Sequence, residues 1–411
     1  NDLNLTLGSL SDTSSSTVMD DNNKRYAGHA LNLTVTQAAS LDGTTWGSGG
    51  TWTGSVGSLS VGSTGATLYA TDTLSLTATT GNLSLATAAV VATNDLSLTA
   101  SSGAISTAAG GSQGVQSSSG NITLTSATGL TNAGVITADA GNITARLGGT
   151  VTNSGTIFAH GALDMADRNN TATENLSNSG TMLAEGSLTL KGVAMTNTGG
   201  IQGTTGSTVS GTSLTNSGLF VASATTGHSG SFTLASLTNS GTIQSAEDLS
   251  VALSSSLSNS GKLLADHDLS IANGSASVSM SNTSSGVIQA ANALSITGSQ
   301  TAFGTQAGVL LGHTATLNIA SLSNSGTLQA DTSMSLTTSG AVSNSGTVLA
   351  KTSLSMTSAS LSNSGWMESD TTMGMSLTGA LTNTSAGTIL AKTTQSLTAG
   401  SLSNDGAIQA D

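Results

Sequence analysis

The side chains able to do chemistry are few and scattered. Two acidic pairs stand out: Asp20-Asp21, close to Lys24 and Arg25, and Glu247-Asp248. Cleavage of a polysaccharide needs clustered carboxylates for acid and base work, often with a Lys or Arg beside them. Both pairs read instead as solvated corners. Asp266-His267-Asp268 has the residue types of a metal site, but neighbours along a strand point to opposite faces, which would separate the three. With no Cys there is no thiolate ligand, disulfide or thiol nucleophile. No Gly-x-Ser-x-Gly elbow, phosphate-binding glycine loop or His-Glu-x-x-His occurs either. The sequence therefore predicts no catalytic residue, no cofactor and no metal, and a protein that is not an enzyme.

Aromatic side chains are the candidates for binding. Tyr26, Trp46, Trp52 and Tyr69 gather near the start of the chain among Gly and Ser. The densest charge lies just before them, in Asp12, Asp20, Asp21, Lys24, Arg25 and His29. Residues 11–30 and 41–69 are expected to be loop insertions in an irregular N-terminal region, 1–70, that precedes a regular region, 71–411. Exposed aromatics beside polar groups would there form a platform for a surface glycan or a protein receptor. Residues 160–176, with Asp164, Asp167, Arg168 and Glu174, are expected to form a further corner loop.

Composition narrows what can position these groups. The 411 residues include 51 Gly and no Pro, with charged residues at only 7% and aromatics at 2%. A fold that tolerates no Pro needs nearly every backbone N–H. The net charge of −13 gives no electrostatic footprint for nucleic acid. No apolar run is long enough to insert in a membrane.

The positioning element is a repeat. Asn-Ser-Gly or a near variant recurs with its Asn at Asn132, Asn153, Asn178, Asn197, Asn216, Asn239, Asn259, Asn282, Asn324, Asn344, Asn363, Asn383 and Asn404, with Gln306 standing in for one Asn. The spacing averages about 21 residues. Each unit holds three short alternating segments, as in Leu257-Ser258-Asn259, Gly261-Lys262-Leu263-Leu264-Ala265 and Leu269-Ser270-Ile271. The third segment continues backwards through Ile122/Leu124, Leu96/Leu98 and Leu74/Leu76. Alternation over such lengths is a strand signal. A lone unit buries too little to fold, so the units must stack, and the predicted fold is an all-β parallel β-helix with three short strands per coil.

Parity places the side chains. Leu257 and Asn259 share a face, so the Asn faces the core, where stacked asparagines would bond amide to amide. The following Gly is expected at a corner of positive φ. A second row lies seven residues after the Asn: Asp139, His160, Glu185, Asp266, Asp331, Lys351, Asp370 and Asp411, with His313 at the same distance from Gln306. This row is expected to face solvent, with Lys351 and Lys392 relieving acidic repulsion. About 18 to 20 coils stacked at ~4.8 Å would make a rod of roughly 90 Å.

The units Leu237-Thr238-Asn239-Ser240-Gly241-Thr242-Ile243-Gln244, Leu322-Ser323-Asn324-Ser325-Gly326-Thr327-Leu328-Gln329-Ala330 and Leu402-Ser403-Asn404-Asp405-Gly406-Ala407-Ile408-Gln409-Ala410 resemble the repeats of filamentous haemagglutinin and related two-partner-secreted exoproteins, contact-dependent growth-inhibition toxin stalks among them. The resemblance covers residues 120–411 and, more loosely, 70–120. It implies a right-handed β-helix exported from a Gram-negative bacterium through an outer-membrane secretion partner and displayed or released at the cell surface. The function it implies is a structural or adhesive fibre for cell-surface or cell-cell attachment. The alternatives are a toxin-delivery stalk and a β-helical polysaccharide-cleaving enzyme. The family's secretion domain carries Asn-Pro-Asn motifs, which a chain without Pro lacks, so the chain is expected to be an internal piece of a longer exoprotein or an unusual member. The lack of Cys suits passage through a pore in unfolded form. A coil with no polar cap at Asp411 implies further coils or end-to-end self-association.

Overall fold

Each alternating segment puts aliphatic residues on one side and Ser or Thr on the other, so it becomes a strand once a neighbouring coil supplies the ladder. The computed structural model describes residues 1–13, 25–107, 114–171, 173–273 and 277–411. Among the described residues there is no helix, and the fold is an all-β parallel β-solenoid. Each segment pairs in parallel with its equivalent one turn on. Leu249 meets Leu269 and Val251 meets Ile271; Leu269 then meets Leu294 and Ile271 meets Ile296. The chain makes about 18 turns of ~21 residues.

The chain divides into two units, Asn1–Gly211 and Thr212–Asp411. Within the second, one sheet stacks short strands such as Thr242–Ser245, Lys262–Ala265 and Val287–Ala290. The other sheet carries two segments of each coil. In Leu249–Asn259 they run together as one long strand, whereas Ser333–Thr338 and Ala341–Asn344 are separate. The core lies between the sheets. Ile243, Leu263, Ile288, Leu310, Leu328 and Val348 point in from the first sheet, and Leu257, Met280, Phe303, Leu322 and Val342 from the second, all buried. Each contributes about 1.5–3 kcal/mol by leaving water.

The first unit is built the same way, with Leu74/Leu76, Leu96/Leu98, Ile122/Leu124 and Ile143/Ala145 stacked in register. Its start differs from expectation. Residues 41–69 are not an insertion: Thr44–Ser48, Trp52–Val61 and Ala66–Ala70 are strands in register with the next coil. Their Gly and Ser density hid a regular coil. Of the expected loop 11–30, Leu10–Asp12 and Arg25–Ala27 are strands of the first coil. Asp20, Asp21 and Lys24 lie outside the described residues. In 160–176, Leu163–Ala166 is a strand whose Asp164 accepts from Arg146 at 2.5 Å. A turn follows, in which the Asp167 carboxylate accepts from the backbone N–H of Asn169 and Thr171 and from the Thr171 hydroxyl. Those bonds, the Thr171 hydroxyl foremost, hold the Asp167 carboxyl below its usual range.

The glycine of the repeated triplet also departs from the sequence reading. Positive φ occurs at Gly43, Gly65, Gly129, Gly149, Gly206 and Gly227, none of which belongs to a triplet. The triplet glycines are needed for close approach instead. A Cβ on Gly261 would lie 2.0 Å from the carbonyl oxygen of Gly241, and one on Gly346 would lie 2.1 Å from that of Gly326. Coil stacks on coil there backbone to backbone, leaving no room for a side chain.

Candidate functional site

The repeated Asn faces inward because it shares strand parity with the core Leu, and a buried amide must find partners or lose several kcal/mol. It finds them in its own row. In the first unit Thr107 donates its hydroxyl to Asn132, and Asn132, Asn153 and Asn178 donate Nδ2 to Oδ1 of the next Asn, that is Asn153, Asn178 and Asn197, at 2.7, 2.7 and 2.8 Å. In the second, Asn216, Asn239 and Asn259 do the same at 2.9, 2.8 and 2.8 Å. Asn282 then donates to Gln306 Oε1 at 3.0 Å, while Gln306 Nε2 turns to the carbonyls of Gly308 and Thr327. The row resumes from Asn324 through Asn344, Asn363 and Asn383 to Asn404, at 2.7, 2.8, 2.9 and 2.8 Å. Each of these donating Nδ2 groups also reaches a backbone carbonyl, as Asn344 reaches Gly346 O and Trp366 O. The ladder ties successive coils together.

The ionisable corner row makes coil-to-coil ion pairs. His160 Nδ1 lies 2.6 Å from Glu185, Lys351 Nζ 2.6 Å from Asp331, and Lys392 Nζ 2.5 Å from Asp370 and 2.8 Å from Glu368. The ammonium groups of Lys351 and Lys392 hold the carboxyls of Asp331 and Asp370 below their usual range, and the same contacts raise Lys392. These pairs are exposed, so water and salt screen them and each adds little to stability.

One place on this corner gathers unlike groups. His267 Nδ1 lies 2.7 Å from Asp248 Oδ1, 3.6 Å from Asp268 Oδ1 and 3.9 Å from Glu247 Oε1. Hydrogen bonding to Asp248 first, then the other carboxylates, raises the imidazole above its ordinary value. Strand alternation was expected to separate His267 from Asp268. The two lie instead in the turn between strands Lys262–Ala265 and Leu269–Ala272, where alternation does not apply. The signal was the period itself: His267 and Asp268 follow Glu247 and Asp248 by 20 residues, as Asn259 follows Asn239.

The aromatic candidates divide. Trp46 and Trp52 are only 3% and 2% exposed and belong to the core, so they form no surface platform. Trp46 Nε1 donates to Asp12 at 3.1 Å, and Arg25 donates to the other oxygen of that buried carboxylate at 2.5 Å. Tyr26 and Tyr69 lie outside. Their rings stack 6.3 Å apart across Gly47, whose hydrogen leaves the space that Tyr69 fills. Tyr26 is 45% exposed. Sequence reasoning missed Trp366, which is 43% exposed and donates its indole N–H to Glu368 at 2.8 Å. It occupies the outward position that Thr347 and Thr388 hold in adjacent coils, a register that the repeat already contained.

Compared with protein-family models, with curated proteins and with solved structures, the chain finds no match. The class that fold and side chains define is a parallel β-solenoid with an internal asparagine ladder and ion-paired corners.

Proposed function

We propose that this chain is a segment of a structural and adhesive surface fibre from a secreted bacterial exoprotein. The observation that carries the reading is the in-register stacking of near-identical coils. Such a design extends by adding units and repeats the same outward rows at each step. Outward Ser and Thr, as in Ser250, Ser270, Ser295 and Thr316, supply solubility without dense charge. In this reading the chain leaves a Gram-negative cell through an outer-membrane partner and stands on the extracellular side. It binds a glycan or protein receptor through exposed aromatics, of which the Tyr26–Tyr69 stack is the first candidate.

The test is attachment. Cells whose gene for this chain is deleted should lose adhesion or aggregation, and display of the chain should restore it. Tyr26→Ala with Tyr69→Ala should weaken receptor binding while leaving the β-sheet circular dichroism unchanged. Full attachment by the deletion strain would overturn the proposal.

A further inference from the structure

The corner row of the second unit is neutralised unevenly. Asp331, Glu368 and Asp370 each have a Lys from the following coil within 2.8 Å. Three to four coils before Asp331 on this corner, Glu247, Asp248 and Asp268 converge on His267, and among the described residues no Lys or Arg forms an ion pair there. Like charges stacked one coil apart repel unless a cation lies between them. The same corner shows what a suitable cation does, because Lys351 and Lys392 each bridge two coils.

The donor set is mixed and held in place by the backbone. Glu247 Oε2 accepts from Gly227 N at 3.0 Å, which leaves Oε1 turned toward His267. Asp248 Oδ1 accepts from Asp268 N at 3.1 Å, and Asp268 Oδ1 from Ala293 N at 3.0 Å and Asn292 Nδ2 at 2.7 Å. One ligand atom from each of Glu247, Asp248 and His267 lies within 4.8 Å of the others. Two ligands at about 2.0–2.1 Å on a tetrahedral ion are about 3.3 Å apart. The separations of 2.7, 3.6 and 3.9 Å around Nδ1 bracket that edge. An imidazole with carboxylates suits zinc or a related transition-metal ion. Calcium prefers six to eight oxygens and gains nothing from the nitrogen.

We propose that Glu247, Asp248 and His267, with Asp268 beside them, form a surface site for a divalent transition-metal ion of the zinc class that clamps adjacent coils. The ion does at this corner what Lys351 and Lys392 do further along. The site assists the fibre reading but does not depend on it, since coil clamping is a property of the solenoid whatever it attaches to.

The test is titration of the full chain with zinc chloride, and separately with calcium chloride, by calorimetry and thermal melting. His267→Ala and Asp248→Asn are the variants, and His160→Ala is the control at a separate histidine–carboxylate pair. The expected result is saturable zinc binding with a raised melting midpoint, weakened about tenfold or more in each variant and unchanged in the control, with calcium far weaker. Cobalt should give a visible absorption band that His267→Ala abolishes. All these changes are at exposed corner positions, and unchanged circular dichroism without metal verifies folding. Zinc binding that His267→Ala leaves intact, calcium binding as tight as zinc, or no saturable binding up to millimolar zinc would each overturn the site.

Discussion

Asn344 gives the sharpest test of how the coils hold together. Its side chain accepts from Asn324 at 2.7 Å and donates to Asn363 at 2.8 Å. Asn344→Ala removes both bonds, at about 1 kcal/mol net each. It also strips amide hydrogens from Gly346 O and Trp366 O and leaves Asn363 Oδ1 with only the Gly365 N–H at 3.3 Å. A buried polar group left short of partners costs about 1–3 kcal/mol, so the total is about 3–5 kcal/mol. Asn344→Asp keeps the shape and reverses the role of one atom. An oxygen replaces Nδ2 opposite Asn363 Oδ1, Gly346 O and Trp366 O, so acceptor faces acceptor and the buried carboxylate is raised. Its folded pKa then exceeds its unfolded one, and the penalty grows as pH rises through the unfolded value and shrinks in acid. Because a solenoid can open locally, the assay is native-state hydrogen exchange at Ser364 and Gly365, whose N–H groups bond to Asn344 O, and at Trp366. Both variants should expose these amides, the Asp form more at pH 7 and less near pH 4. Protection within about 0.5 kcal/mol of the parent in both would refute the ladder argument.

Other substitutions separate the remaining forces. Gly346→Ala puts a Cβ 2.1 Å from Gly326 O and should cost about 3 kcal/mol by urea unfolding; Gly374→Ala, with nothing within 4 Å, should be neutral or slightly stabilising. Asn273 is buried with Oδ1 unpartnered, lines a gap with Leu253, Ile271, Val278 and Met280, and lies so close to Gly298 that a Cβ there would meet it at 1.6 Å. Asn273→Leu should therefore stabilise by about 1 kcal/mol, read from the unfolding midpoint. Asp331 and Asp370 have depressed pKa values, so their contribution is present above the unfolded value of 3.8 and is lost as pH falls through the lower folded one. His267 is raised, so its contribution is full below 6.5 and is lost as pH rises through the higher folded value. Melting curves across pH should show the acid-side loss in the parent and less of it in Lys351→Met with Lys392→Met.

The period, the strand alternation and the inward Asn were legible because each depends on spacing alone. Leu257 and Asn259 share a face whatever the rest of the chain does. The Lys351 and Lys392 pairs were readable for the same reason, since one coil step brings the preceding acid alongside. Contacts between backbones were not legible: the triplet Gly suggested positive φ, while the actual demand is the carbonyl of the coil before. Nor was the burial of Trp46 and Trp52, because the coils around them replace the usual Leu with Gly and Ser, and only the pairing of Trp52 with Leu31 and Leu74, and of Trp46 with Leu68, shows that each fills a core row. Glu247 and His267 were visible as residues but not as neighbours, because the alternation of a strand was applied to a turn.

The central claim is that successive units stack as parallel coils at a constant step. With no native Cys, pairs of spin labels can be placed without background. Thr238 and Ser343 occupy outward positions just before the ladder residues Asn239 and Asn344, which the register links through Asn259, Asn282, Gln306 and Asn324; Thr382 follows two coils later through Ser362. Labels on Thr238→Cys with Ser343→Cys should lie about 24 Å apart along the stack, and on Thr238→Cys with Thr382→Cys about 34 Å, in narrow distributions by pulsed electron–electron resonance. Broad distributions, or a distance that does not grow with the number of coils, would contradict the account.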